Sequence, residues 1–106
     1  MKSNITFIDS KIKIAFEKLE RTDLEKYKLI KRAFEDLENN AFCGIQIPKH
    51  LIPKEYIKKF NVKNLWKYNL PGAWRLIYSI EGKNLNVFSI ILEWLDHKEY
   101  ERKFHY

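Results

Sequence analysis

The sequence has little cysteine, glycine or proline: one Cys, three Gly and three Pro in 106 residues. Its single thiol, Cys43, has no second cysteine for an internal disulfide and lacks the Cys/His spacing of a zinc site. So few Gly and Pro argue against long structureless segments. The longest apolar stretch, 87–95, contains Ser89 and Glu93 and is too short to span a bilayer. The first ten residues hold no long apolar run, so we expect a soluble cytoplasmic protein with no membrane partner, metal or cofactor.

The composition is that of one folded domain with a basic surface. Apolar residues make up 45% and aromatic residues 15%, enough for a core, and the length predicts a single domain over 1–106. The net charge is +6, and residues 41–106 carry 11 Lys/Arg against 6 Asp/Glu. A cationic excess gathered in one part of a chain favours a polyanionic partner, although a solvated lysine-rich surface has the same composition.

The first forty residues have the pattern of a strand followed by a helical hairpin. Residues 4–8 are a short β-like run with alternating apolar positions, and apolar residues then recur with helical spacing over 11–20 and 24–37. Asp9, and the segment Thr22-Asp23-Leu24-Glu25, fit N-terminal caps for the two helices.

From position 63 the apolar period changes to two. Residues 64–70, 74–80 and 85–95 therefore predict three consecutive strands. Pro71-Gly72 fits a turn between the first two, and Asp96 can cap a short final helix over 97–104. The intervening residues 45–62 contain two prolines and at most one or two helical turns, at 54–60. The predicted fold class is α+β, in the order β-α-α-β-β-β: an antiparallel sheet with the helical hairpin packed on one face and a short C-terminal helix.

Strand parity divides the side chains of this sheet between its two faces. Four large aromatic residues fall on the face towards the hairpin: Trp66, Tyr68, Trp74 and Tyr78. The opposite face then presents Lys63, Lys67 and Arg75 together, provided that the register holds.

Three segments resemble the RelE/ParE superfamily of toxins from toxin–antitoxin systems. They are NLWKYNLPG (64–72), WRLIYSI (74–80) and DHKEYERKF (96–104), which lie in the family's order and spacing. The resemblance implies a RelE-like fold and a toxin that cuts mRNA on the ribosome without a metal. The 2′-hydroxyl would attack the adjacent phosphate and leave a 2′,3′-cyclic phosphate. It also implies a small, acidic, partly disordered antitoxin as partner.

Candidate site residues follow from the needs of that chemistry. Arg75 matches the arginine of the family's strand, and its planar fork of donors suits phosphate oxygens. His97 is the candidate acid or base, because histidine is the residue type that can gain or lose a proton near neutral pH without a special environment. Tyr100, three residues further on, would contact the phosphate or a base. Lys63, Lys67 and the terminal Tyr106 are candidates for RNA binding; some relatives, the YoeB group, end in His-Tyr as this chain does.

Two other functions are open at this stage. ParE, a sister branch of the family, poisons DNA gyrase by protein contact, and an inactive RNA-binding relative would share the fold. Four carboxylates lie near the proposed site, a departure from RelE that would repel RNA: Glu93, Asp96, Glu99 and Glu101.

Overall fold

The structure is a computed structural model that describes residues 1–104. His105 and Tyr106 lie outside the described residues, and so does the prediction made for Tyr106. The strands and helices in chain order are β1 (Asn4–Phe7), α1 (Ser10–Thr22), α2 (Leu24–Asn39), β2 (Ile45–Gln46), α3 (Lys54–Phe60), β3 (Trp66–Leu70), β4 (Trp74–Lys83), β5 (Asn86–Leu95) and α4 (His97–Phe104). The predicted α+β class is confirmed.

The five strands form one mixed sheet in the order β1-β5-β4-β3-β2. The predicted antiparallel meander β3-β4-β5 is confirmed. The prediction of a wholly antiparallel sheet was wrong, because β1 pairs in parallel with β5. The helical hairpin separates β1 from β2, and β2 pairs with β3 at the opposite edge of the sheet. The two-residue strand β2, which pairs with β3, was not predicted.

The helical hairpin packs on one face of the sheet and encloses the first hydrophobic cluster. Phe16, Phe34 and Leu37 of the hairpin meet Leu76 and Ile91 of the sheet there. The four aromatic residues predicted for this face, Trp66, Tyr68, Trp74 and Tyr78, all belong to the cluster. Aspartates begin both helices: Asp9 accepts from the amide of Ile12, and Asp23 accepts from the amide of Lys26.

The opposite face of the sheet is covered by α3 and α4. Tyr56, Tyr100 and Phe104 from these helices pack with Ile77 and Leu92 of the sheet in a second buried cluster. We expected Lys67 and Arg75 to be exposed on this face, but its apolar residues, Ile77 and Leu92 among them, are buried beneath the two helices. None of the helices in the described part of the chain combines the length and apolar character needed to cross a membrane.

The net positive charge lies mainly on the side of α3 and α4. Residues 49–63 and 97–104 together hold eight Lys/Arg against three Glu, whereas the hairpin residues 10–39 hold eight against seven acids. The two sides of the sheet therefore differ in electrostatic character, and the second side is the one suited to a polyanion.

Candidate nucleic-acid interface

Two cations from neighbouring strands meet the phenol of Tyr100. The Nζ of Lys67 lies 3.0 Å from the hydroxyl oxygen of Tyr100, to which it donates, and 4.9 Å from the centre of its ring. The guanidinium carbon of Arg75 lies 5.5 Å from the same centre. Both are cation–π distances. Lys67 is on β3, Arg75 on β4 and Tyr100 on α4, so the cluster joins three elements.

The backbone explains why these three side chains converge. Lys67 and Arg75 point to the same face because β3 and β4 are antiparallel, with Asn69 opposite Arg75. Asp96 then starts α4 directly after β5: its carboxylate accepts from the amide of Glu99, whose side chain accepts from the amide of Asp96. This reciprocal cap turns α4 back over the sheet and buries Tyr100, which is 4% exposed.

Arg75 keeps hydrogen-bonding capacity in this cluster. Its Nη1 donates to the backbone oxygen of Trp74 at 3.3 Å, while its buried Nε has no hydrogen-bond partner within residues 1–104. The side chain is only partly buried. A guanidinium carries five N–H donors, so Arg75 retains donors for an anion. Glu93, which could have paired with it, is engaged with Lys103 instead.

His97 lies exposed in the first turn of α4. Its Nε2 lies 2.9 Å from a carboxylate oxygen of Glu101, and both side chains are more than half exposed. Tyr100 and Phe104 form the buried stripe of the helix. His97 is therefore paired with Glu101 at the surface, whereas Tyr100 is buried against Lys67 and Arg75.

Lys63 is separate from the Lys67 and Arg75 pair. Strand parity, which we used to place it on one face with Lys67, does not apply to it, because β3 begins at Trp66 and Lys63 lies in the preceding bend. Lys63 is exposed and lines a hollow with Phe60 and Glu81. Of the five candidates within residues 1–104, the structure brings together Lys67, Arg75 and Tyr100.

A second polar group under α4 escaped the sequence analysis. The hydroxyl of Tyr56 donates to Glu93 at 2.6 Å, and the Nζ of Lys103 lies 3.0 Å from the same oxygen. Burial and the bond to Glu93 raise the pKa of the Tyr56 hydroxyl far above its usual value. An irregularity in the β4–β5 register between Ile77 and Tyr78 leaves Leu92 unpaired beside Glu93. A bulge of this kind has no clear sequence signature. The position of Glu93 between the apolar residues Leu92 and Trp94 was the available sign that its carboxylate has a buried polar partner.

No group of three or more His, Cys, Asp or Glu side chains in residues 1–104 is placed to hold a metal ion. Comparison of the chain with protein-family models, with curated proteins and with solved structures finds no match in any of the three.

Proposed function

We propose that this protein is a cytoplasmic toxin with a RelE-like fold, paired with an antitoxin, that cuts mRNA on the ribosome. The observation that carries the proposal is the convergence of Lys67 and Arg75 on Tyr100, on the more basic side of the molecule. The three local segments that resemble the family contain all three residues.

The reaction divides among these groups as follows. Arg75 and Lys67 bind the oxygens of the scissile phosphate and neutralise the charge that develops as the 2′-oxygen attacks phosphorus. The bond from phosphorus to the 5′-oxygen breaks, which leaves a 2′,3′-cyclic phosphate and a 5′-hydroxyl. Tyr100, hydrogen-bonded to Lys67 at 3.0 Å, orients that ammonium and can hydrogen-bond the phosphate itself.

His97 takes the proton-transfer role in this proposal. It would accept the proton of the 2′-hydroxyl or supply one to the 5′-oxygen. For this, the imidazole must leave Glu101. A pair with both side chains this exposed contributes no more than about 1 kcal/mol, so its opening costs little. The variant His97→Ala tests this role separately.

Charge supports the proposed partners as well as the reaction. The eight cations of the segments around α3 and α4 suit the phosphates of mRNA and ribosomal RNA. They also suit a small acidic antitoxin whose disordered segment folds on binding. The same surface would then serve the target and the inhibitor, so that binding of the antitoxin and of RNA would exclude each other.

The test is the mapping of mRNA ends after brief expression in bacteria. The native protein should arrest growth and generate new 5′-hydroxyl ends. Arg75→Ala should lower cleavage by about 100-fold or more, with an unchanged circular dichroism spectrum. Arg21→Ala is the matched control, because it removes one exposed cation from α1 on the other side of the sheet and should leave cleavage unaltered.

His97→Ala separates the parts of the mechanism. A loss comparable with that of Arg75→Ala would place His97 in the reaction, whereas nearly full activity would leave Lys67, Arg75 and Tyr100 as the whole site. If both variants remain fully toxic, the site assignment is wrong. Growth arrest without new RNA ends, accompanied by cleaved DNA, would instead indicate a gyrase poison, and normal growth would indicate an inactive RNA-binding protein.

A further inference from the structure

Strand β4 extends beyond the strand that pairs with it on the β3 side. Strand β3 begins at Trp66, opposite Tyr78, while β4 continues to Lys83. The side-chain amide of Asn64 occupies the next position. Its Nδ2 donates to the carbonyl oxygen of Ile80 at 2.8 Å, and its Oδ1 accepts from the amide nitrogen of Ile80 at 2.8 Å. A side-chain amide thus replaces the peptide group of a neighbouring strand and ends the ladder there.

Residues 81–83 consequently form a sheet edge that no other strand within residues 1–104 covers. They pair with β5 on one side, where Gly82 lies opposite Val87, and all three are exposed. Alternate residues of a strand direct their N–H and C=O to the same edge. The backbone groups of Gly82 therefore point the same way as those of Ile80, towards the position where β3 would have continued. Such unpaired groups are a template for another strand.

Recesses flank this edge on both faces of the sheet. One is a hollow of about 530 Å³ whose lining combines apolar side chains, Ile8 and Phe60 among them, with polar ones such as Lys63 and Glu81. On the other face, Phe42 and Trp66 line a shallower recess with Ile80 and Asn64. Successive side chains of a strand point to opposite faces, so an added strand would place apolar side chains in both recesses.

We propose that this edge of β4, which we call the Gly82 edge, binds an extended peptide segment of a partner protein by strand addition. The segment makes backbone hydrogen bonds to Gly82 and inserts one apolar side chain into the hollow beside Phe60. Lys63 and Lys83 lie at this edge, against the single acid Glu81, so the partner segment carries acidic residues next to its apolar ones. This binding needs neither Arg75 nor RNA cleavage.

The experiment uses a short fluorescent peptide in which valine and threonine alternate between two terminal glutamates. Fluorescence anisotropy should give a Kd below about 1 mM. Hydrogen exchange followed by NMR should show a Gly82 amide that exchanges fast in the protein alone and slowly when the peptide is bound. Gly82→Pro removes that N–H and should weaken binding by about tenfold or more, as expected for the loss of one hydrogen bond and the clash of the ring.

Gly82→Ala is the matched control. It keeps the N–H, and the nearest atom to the added methyl carbon is the backbone oxygen of Asn86, at 3.9 Å. Affinity close to native in Gly82→Ala, together with the loss in Gly82→Pro, would support the proposal. The thermal melt of Gly82→Pro shows whether the β4–β5 hairpin is intact. Absence of binding to the native protein, or binding without protection of the Gly82 amide, would overturn the proposal. Neither outcome depends on the nuclease activity.

Discussion

Removal of the Glu93 carboxylate should loosen both helices that cover the second face of the sheet. Glu93 accepts a hydrogen bond from Tyr56 on α3 and pairs with Lys103 on α4. A hydrogen bond to a charged group contributes about 1.5–3 kcal/mol, and a partly exposed ion pair about 1 kcal/mol. Glu93→Ala also leaves the hydroxyl of Tyr56, a residue 1% exposed, without its acceptor. We expect a loss of about 3–4 kcal/mol in the free energy of unfolding.

Urea denaturation in a double-mutant cycle measures how this loss is divided. Tyr56→Phe should cost about 1.5–3 kcal/mol and Lys103→Met about 1 kcal/mol. Once Glu93 is alanine, the further change Tyr56→Phe should cost almost nothing, because its hydroxyl has lost the partner. A cost below about 1 kcal/mol for Glu93→Ala, or additive effects of Tyr56→Phe and Glu93→Ala, would refute this account.

Three further predictions concern other parts of the molecule. Gly44→Ala should destabilise the protein by about 2 kcal/mol or more in urea denaturation, because the new Cβ would lie 2.6 Å from the backbone oxygen of Lys67 and would also meet the hydroxyl of Tyr78; an unchanged midpoint would contradict it. Asn64→Ala should cost about 1–3 kcal/mol, since it removes both hydrogen bonds to the backbone of Ile80, and hydrogen exchange at that amide should rise; a still-protected amide would argue against the role given to Asn64. Burial and the bond to Asp36 raise the pKa of Tyr68 to about 12, whereas a tyrosine in the unfolded chain ionises near pH 10. The stability that the protonated Tyr68 contributes is therefore complete below about pH 10 and is lost as the pH rises towards about 12. The free energy of unfolding should fall by up to about 1.4 kcal/mol per pH unit in this range, and Tyr68→Phe should reduce that slope.

The helical hairpin and the three-stranded meander were predictable because each is specified by the spacing of apolar residues within its own segment. Apolar residues at helical spacing, begun by Asp9 and Asp23, define the hairpin, and strict alternation defines the meander of β3, β4 and β5. The partner of β1 was not predictable, because no residue within β1 specifies pairing with a strand more than eighty positions away. Helix α3 was uncertain because it is short and follows two prolines.

The candidate site was predicted in part for similar reasons. Parity within each strand correctly placed Lys67 and Arg75 on one face. The position of Lys63 depended on where β3 starts. The side-chain amide of Asn64, which bonds the backbone of Ile80, takes the place of a strand residue just before Trp66. The exposure of His97 was not predictable, because positions 97, 100 and 104 have the i, i+3, i+7 spacing of one helix side. Only the packing of the helix shows that Tyr100 and Phe104 are buried while His97 is exposed.

The parallel pairing of β1 with β5 has a consequence for synthesis of the protein. Asn4 lies opposite Phe88, so β1 must wait until β5, more than eighty residues further along the chain, has been synthesised before its hydrogen bonds to the sheet can form. Until then, the hairpin has only an incomplete sheet to cover its apolar stripe. Contacts this distant along the chain slow folding. Because α4 follows β5, Tyr100 can reach Lys67 and Arg75 only after nearly all of residues 1–104 have been synthesised, so the cluster of these three side chains is among the last parts of the fold to form.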